Sequence, residues 1–75
     1  MVKIYTTQTC PYCEMAKEYF KEKKISYEEH DVAADEKARE EMIAKSLQMG
    51  VPMIDINGTI IIGFNRPEID KALGL

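Results

Sequence analysis

Residues 2 to 24 read V-K-I-Y-T-T-Q-T-C-P-Y-C-E-M-A-K-E-Y-F-K-E-K-K, and this stretch decides the fold. Val2–Thr6 is rich in β-branched and aromatic residues, which predicts a buried strand. Residues 11–24 have helical periodicity, with an apolar face made of Met15, Ala16, Tyr19 and Phe20. The opposite, solvated face is predicted to carry Lys17, Glu18, Lys21 and Glu22. Both cysteines of the chain, Cys10 and Cys13, therefore lie where a strand ends and a helix begins.

The rest of the chain continues the alternation of strands and helices. A second strand is predicted over residues 25–32, followed by a charged helix from 35 to about 48. The apolar stripe of that helix is Ala38, Met42, Ile43 and Leu47. Two strands, Met53–Ile56 and Thr59–Ile62, flank Asn57-Gly58, a strong hairpin signal.

A last helix is predicted to open at Asn65, because Asn65 is a good N-cap, Pro67 fits the first turn and Glu68 stands three positions on. Its core face is predicted to contain Ile69, Ala72 and Leu73. The resulting order β-α-β-α-β-β-α has one parallel crossover at the front and one antiparallel hairpin at the back. The sequence therefore predicts a small α/β domain, a mixed four-stranded sheet covered by three helices.

Composition limits the kinds of function that are possible. With 75 residues, 45% hydrophobic and 31% charged, the chain should form one globular domain over 1–75. A net charge of −3 without a basic face argues against nucleic acid and anionic membranes as partners. Apolar runs such as residues 60–62 are too short to cross a bilayer. The start of the chain does not look like a signal peptide, so we expect a cytoplasmic protein.

The cysteine pair predicts redox chemistry. A reducing cytoplasm makes a structural disulfide improbable, and a bridge between Cys10 and Cys13 would close too short a loop to stabilise much. The unbonded N–H groups and dipole at a helix start favour a thiolate at Cys10, and the thiolate is the nucleophile. Cys13, one turn on and less exposed, could then resolve a mixed disulfide at Cys10. Tyr12 would offer an apolar face to the incoming thiol.

Other interpretations of these residues are weaker. C-x-x-C is also half of a zinc site, but the only further histidine or cysteine is His30, which is predicted to be solvated near a strand end. A Cys-His hydrolase would need a base held near Cys10, and a single histidine on another strand does not predict one. Pro52 fits either a strand-start proline or a cis proline that turns the backbone of Val51 toward a peptide-like ligand.

Taken together, T-C-P-Y-C before an amphipathic helix, G-V-P before a strand, the hairpin, and G-F-N at the last helix resemble the glutaredoxins over essentially the whole chain. The resemblance implies a minimal thioredoxin fold with sheet order 2-1-3-4 and a cis Pro52 facing Cys10. It implies that Cys10 is the nucleophile and Cys13 the resolving thiol. The implied glutathione site includes the backbone of Val51, together with Tyr12, Pro52, Gly63, Phe64 and Asn65.

The glutaredoxin resemblance also implies partners and cofactors. A monomer would reduce disulfide-containing proteins and glutathione mixed disulfides, using glutathione as reductant, without a metal or tightly bound cofactor. Two features depart from the family: Thr7 stands where many glutaredoxins have a lysine, and the acid expected near Asn65 is missing. Gly63-Phe64 with Arg66-Pro67 is instead similar to the redoxins of ribonucleotide reductase, which thioredoxin reductase reduces. A further alternative is a dimer that binds a [2Fe–2S] cluster through Cys10 and two glutathiones.

Overall fold

A computed structural model describes residues 2–47 and 50–74 of the chain. Its elements, in chain order, are β1 Val2–Thr6, α1 Pro11–Glu22, β2 Tyr27–Asp31, α2 Glu36–Ser46, β3 Met53–Ile56, β4 Thr59–Ile62 and α3 Arg66–Leu73. This order agrees with the predicted one. Within those residues, every helix is too short or too polar to cross a bilayer.

The four strands form one mixed sheet in the order β2-β1-β3-β4. β1 runs parallel to β2, with Ile4 opposite Glu29, and antiparallel to β3. β3 and β4 form the hairpin, whose turn residues Asn57 and Gly58 have φ of 51° and 96°. Both positive φ values fit the predicted Asn-Gly turn. The predicted sheet order 2-1-3-4 is therefore confirmed, and it places the end of β1, where the cysteines follow, at the centre of the sheet.

The core lies on both faces of the sheet. One cluster, between the sheet and helices α1 and α3, contains Val2, Ile4, Ala16, Tyr19, Phe20, Ile54, Ile56, Ile61 and Ile69. The other, under α2, contains Tyr5, Val32, Ala38, Met42 and Met53. Alternate residues of β1 supply both clusters because successive side chains of a strand point to opposite faces. α1 is thus anchored by the first cluster, which fixes the helix start that carries the cysteines.

α1 ends two residues earlier than predicted, and β2 begins two residues later. Lys24 has a φ of 58°, in the left-handed region. The Ile25 N–H donates to the Phe20 carbonyl at 2.8 Å, and the Lys24 N–H to the Lys21 carbonyl at 3.1 Å. These two bonds form a Schellman motif, which satisfies the last carbonyls of the helix but uses residues predicted to extend the helix and begin the strand. The strand boundary at 25 was therefore wrong.

Three predicted helix faces also need correction. Met15 is 45% exposed because the buried stripe of α1 runs beside it, through Cys13, Ala16, Tyr19 and Phe20. Lys17, predicted to be solvated, has a side chain only 17% exposed. Leu47 is 87% exposed, because it caps α2 in the left-handed conformation with a φ of 61° and leaves the helix axis. Ile43 is half-buried, and position 48 lies outside the described residues.

Candidate active site

Cys10 occupies the N-cap of α1, between the end of β1 and Pro11. Its backbone is extended, with a φ of −103° and a ψ of 108°, and the proline after it begins the helix. The Sγ atom accepts a hydrogen bond from the Cys13 N–H at 3.2 Å. This N–H is one of the first-turn donors that have no partner within a helix. The half-buried sulfur therefore has a backbone donor and the positive end of the helix beside it, both of which stabilise negative charge.

Cys13 has a different environment, one turn further into α1. Its side chain is fully buried, and both cysteines are free thiols. Burial raises the pKa of Cys13 from 9.0 to about 12, and the hydrogen bond with Cys10 contributes to the rise. A backbone hydrogen bond from Thr7 acts in the opposite direction. At neutral pH, Cys13 is therefore held as a neutral thiol.

The segment before β3 comes close to the nucleophile. The Sγ of Cys10 lies 3.9 Å from the Val51 carbonyl oxygen, within reach of a hydrogen bond from the thiol. The Val51–Pro52 peptide is cis, as the resemblance implied, and Pro52 is buried. The Gly63 N–H donates to the Pro52 carbonyl at 2.8 Å, and Gly63 has a φ of 82° that favours glycine. The structure thus connects Cys10, Val51, Pro52 and Gly63 by successive contacts.

The remaining predicted ligand residues are arranged differently. The Tyr12 side chain is 61% exposed next to the cysteines. The half-buried Phe64 presents its ring to Tyr19 of α1, with the ring centroids 5.9 Å apart. Asn65 is the N-cap of α3, as predicted, and its side-chain oxygen accepts from the Glu68 N–H at 3.4 Å. The aromatic and amide groups of Phe64 and Asn65 therefore have partners within the protein.

Sequence reasoning missed a polar cluster beside the cysteines. Lys17 Nζ lies 2.9 Å from a Glu14 carboxylate oxygen and 3.0 Å from one of Glu29. Glu29 also accepts a hydrogen bond from the Thr6 hydroxyl at 3.0 Å. The pKa of Lys17 is raised by these carboxylates, and that of Glu29 is lowered, chiefly by Lys17. The available signal was the four-residue spacing of Cys13 and Lys17, which places them on one side of α1.

His30 has a structural position rather than the solvated one predicted. It is half-buried, and its ring stacks on Tyr5 with 5.2 Å between ring centroids. Tyr5 belongs to the cluster under α2, whereas α1 packs on the opposite face of the sheet. In residues 2–47 and 50–74, no three His, Cys, Asp or Glu side chains are grouped so that they could hold a metal ion.

The chain is similar in sequence and fold to several known proteins. A model of the glutaredoxin family matches residues 2–61. The chain is 55% identical over 73 residues to a glutaredoxin-like 8.6 kDa protein in the rubredoxin operon of Clostridium pasteurianum, covering 97% of each chain. It is 42% identical over 62 residues to glutaredoxin 3 of Escherichia coli strain K12, covering 83% of this chain and 75% of that protein. The crystal structure of a thioredoxin-like protein matches with a TM-score of 0.90 at 29% identity, covering 96% of this chain and 99% of the other.

Proposed function

The chain belongs to the glutaredoxin family, whose members are thiol–disulfide oxidoreductases, and we propose that it reduces protein disulfides and glutathione mixed disulfides with glutathione as its reductant. The observation that carries this proposal is the Cys13 N–H bonded to Cys10 Sγ at 3.2 Å. This hydrogen bond stabilises the nucleophilic sulfur of Cys10. The buried thiol of Cys13 lies in the same helical turn.

Cys10 begins the reaction. Its thiolate attacks one sulfur of a substrate disulfide, forming a new S–S bond to Cys10 and breaking the substrate's own bond. The other substrate sulfur leaves as a thiolate and takes a proton from solvent. Half-burial leaves Cys10 accessible to the substrate, while the helix N-terminus stabilises its charge before the attack.

Cys13 completes the reduction of a protein disulfide. Its thiolate attacks Cys10 Sγ, the second substrate sulfur leaves, and two electrons have passed from the two cysteines to the substrate. Two glutathione molecules then reduce the internal disulfide to the two thiols and are oxidised to glutathione disulfide. With a mixed disulfide between a substrate and glutathione, Cys10 takes the glutathionyl sulfur and releases the substrate thiol. Free glutathione then attacks that glutathionyl sulfur, forms glutathione disulfide and returns Cys10 as a thiolate, so the second protein thiol is not needed.

We assign glutathione to the segment that faces Cys10. Support comes from the Val51 carbonyl, 3.9 Å from Cys10 Sγ, because an extended peptide bound through the backbone of Val51 would bring its own sulfur near that atom. Pro52 and Gly63 would form the floor of this site, and Tyr12 one wall. At Phe64 and Asn65 the ligand's γ-glutamyl end would meet mainly backbone, because both side chains have intramolecular partners.

One observation favours a second reductant. Asn65 is the residue left to hold the ligand's amino group where the expected acid is missing, but its side-chain oxygen caps α3. Gly63-Phe64 and Arg66-Pro67 also resemble redoxins that act with ribonucleotide reductase. The second candidate is therefore a redoxin of the same fold that takes electrons from thioredoxin reductase. Both candidates would act as monomers in the reducing cytoplasm.

The deciding experiment measures NADPH consumption with a small mixed disulfide as substrate. Glutathione plus glutathione reductase is supplied in one arm, and thioredoxin reductase alone in the other. We expect turnover in the glutathione arm. Turnover in the thioredoxin reductase arm alone would reject glutathione as the reductant and establish the second candidate.

Two serine variants test the assignment of the cysteines in the same assay. Cys10→Ser should abolish all exchange, because the nucleophile is gone. Cys13→Ser should retain turnover of glutathione mixed disulfides and lose reduction of protein disulfides. An active Cys10→Ser variant combined with an inactive Cys13→Ser variant would reverse the two roles.

A further inference from the structure

A lysine ammonium is held between two carboxylates near the start of α1. Lys17 Nζ lies 2.9 Å from Glu14 and 3.0 Å from Glu29, and the Lys17 side chain is only 17% exposed. Most lysines extend into solvent. Glu29 is itself held by the Thr6 hydroxyl at 3.0 Å, and Thr6 is 1% exposed. The position of the ammonium is therefore fixed by both α1 and the sheet.

This cluster adjoins the second thiol of the active site. Lys17 follows Cys13 by four residues on α1, a spacing at which side chains on a helix are neighbours, with Cβ atoms about 5–6 Å apart. Thr6, which anchors Glu29, directly precedes Thr7, whose backbone is hydrogen-bonded to the Cys13 thiol. The ammonium and the buried sulfur thus belong to residues one turn apart on α1. Both are also connected to the end of β1, the ammonium through Glu29 and Thr6 and the sulfur through Thr7.

We infer that Lys17 stabilises the Cys13 thiolate during its attack on Cys10, and that Glu29 is a positioning residue that holds the ammonium in place. This inference rests on the proposed function, since it concerns the step in which the second thiol acts. In that step the Cys13 proton goes to solvent, the Cys13–Cys10 S–S bond forms, and the bond from Cys10 to the substrate breaks. The substrate sulfur leaves as a thiolate that takes a proton from solvent.

The charges around Cys13 support a role confined to this step. Burial makes its thiolate costly, and the neighbouring Cys10 adds to that cost, whereas the charge of Lys17 lowers the pKa of Cys13. Two carboxylates accompany Lys17: Glu14 on α1, with a side chain 60% exposed, and Glu29 on β2. Cys13 carries negative charge only while it resolves the mixed disulfide, so Lys17 should leave the first attack by Cys10 almost unchanged.

The size of the expected effect follows from thiol reactivity. If the pKa of a thiol rises by one, its thiolate fraction falls about tenfold, while its intrinsic nucleophilicity recovers about threefold, with a Brønsted coefficient of about 0.4–0.5. An opposite charge within about 4–6 Å typically changes a pKa by about 1–3. Removing the ammonium should therefore slow the resolving step by about threefold to thirtyfold.

The test uses Lys17→Met, which removes the charge and keeps most of the apolar stem. Lys17→Arg restores a cation at the same place, and Lys21→Met removes a lysine one turn further from the cysteines as the matched control. Two steps are measured in each variant. Glutathione release from a mixed disulfide at Cys10 reports the resolving step, and turnover of a glutathione mixed disulfide reports the attack by Cys10.

We expect Lys17→Met to slow glutathione release by about threefold to thirtyfold and to change Cys10-dependent turnover by less than about twofold. Lys17→Arg should recover most of the release rate, and Lys21→Met should match the wild type. Release at the wild-type rate in Lys17→Met would overturn the inference. An equal slowing of both steps would also overturn it, because it would indicate a purely structural role.

Glu29→Gln provides an independent test that applies even if Lys17→Met fails to fold. Removing a nearby negative charge would by itself favour the Cys13 thiolate, whereas loosening Lys17 would disfavour it. We expect slower release in Glu29→Gln, and faster or unchanged release would refute the positioning role. Failure of the wild-type protein to release glutathione at all would reject the proposed function instead, so the two failures are distinguishable.

Discussion

The buried thiol of Cys13 predicts how the resolving step depends on pH. Its pKa is raised to about 12 in the reduced protein, first by burial and then by Cys10. In the mixed disulfide, Cys10 carries no charge, but burial persists, so we expect the pKa to remain at or above its ordinary value of 9.0. Because a raised pKa keeps the group protonated below it, the reactive thiolate becomes more abundant throughout the rise from neutral to alkaline pH.

The expected change in the resolving rate follows from this lower limit on the pKa of Cys13. Well below the pKa, the thiolate fraction grows about tenfold per pH unit, so the resolving rate should rise about 25- to 30-fold between about pH 7 and 8.5. The slope of log rate against pH should be close to one. A Cys13 pKa lowered toward neutrality would instead give a plateau inside this window.

The assay starts from a mixed disulfide between Cys10 and labelled glutathione. It is prepared in acid with an activated pyridyl disulfide, which reacts with thiols there, and the sample is then moved rapidly to each test pH. Release of labelled glutathione gives the resolving rate, and Cys13→Ser, which cannot resolve, gives the background. A rate that levels off below about pH 8 would refute the reasoning, because it would place the Cys13 pKa below its ordinary value.

Four substitutions test the local structure through its stability. Lys24→Gly should raise the free energy of unfolding by about 1 kcal/mol and the melting temperature by about 4–8 °C, because a non-glycine residue in the left-handed region is strained. Lys21→Gly inside α1 should lower the free energy of unfolding by about 1 kcal/mol, and equal shifts in the two variants would contradict the Schellman assignment. Phe20→Ala should lower it by about 3–5 kcal/mol in urea titrations, and a loss below 1 kcal/mol would place that ring outside the core. Asn65→Ala should cost about 0.5–1 kcal/mol in the same titration, and no loss would mean that the cap at 3.4 Å contributes nothing.

The strands and two of their connections could be predicted because their signals are local and agree with one another, whereas the strand order 2-1-3-4 was implied by the resemblance to the glutaredoxins. Asn57-Gly58 determines the hairpin, and the helix after Cys10 requires a crossover to a parallel strand. The N-cap at Asn65 could also be predicted from the sequence, because an amide side chain, a proline and a glutamate occur at the expected spacing. Each of these features depends on residues only a few positions apart.

Features that depend on tertiary neighbours could not be predicted. A lysine is normally assigned to the solvated face of a helix, so only the position of Glu29 on β2 reveals that Lys17 is enclosed. The end of α1 was misplaced because Lys24 is a poor candidate for a left-handed cap, for which glycine is the usual signal. Of the site, the thiol pair was predicted from the residues themselves, and the position of Val51 and Pro52 opposite Cys10 was implied by the resemblance to the glutaredoxins, whereas the polar cluster beside Cys13 was not predicted.

The order of the strands leaves the two margins of the sheet chemically unequal. β2 forms one margin and carries Glu28, Glu29 and Asp31, and charge on an edge strand opposes pairing with another chain. β4 forms the other margin with the uncharged run T-I-I-I, and Ile62 is 50% exposed. We therefore expect aggregation on heating to begin by strand addition at β4. Ile62→Lys should suppress this aggregation in light-scattering measurements. Unchanged scattering would mean that aggregation begins at another surface. Gly63 of the proposed glutathione site directly follows Ile62. The surface that would receive substrates therefore lies at the β4 edge, which is the sheet edge less protected against pairing with another chain.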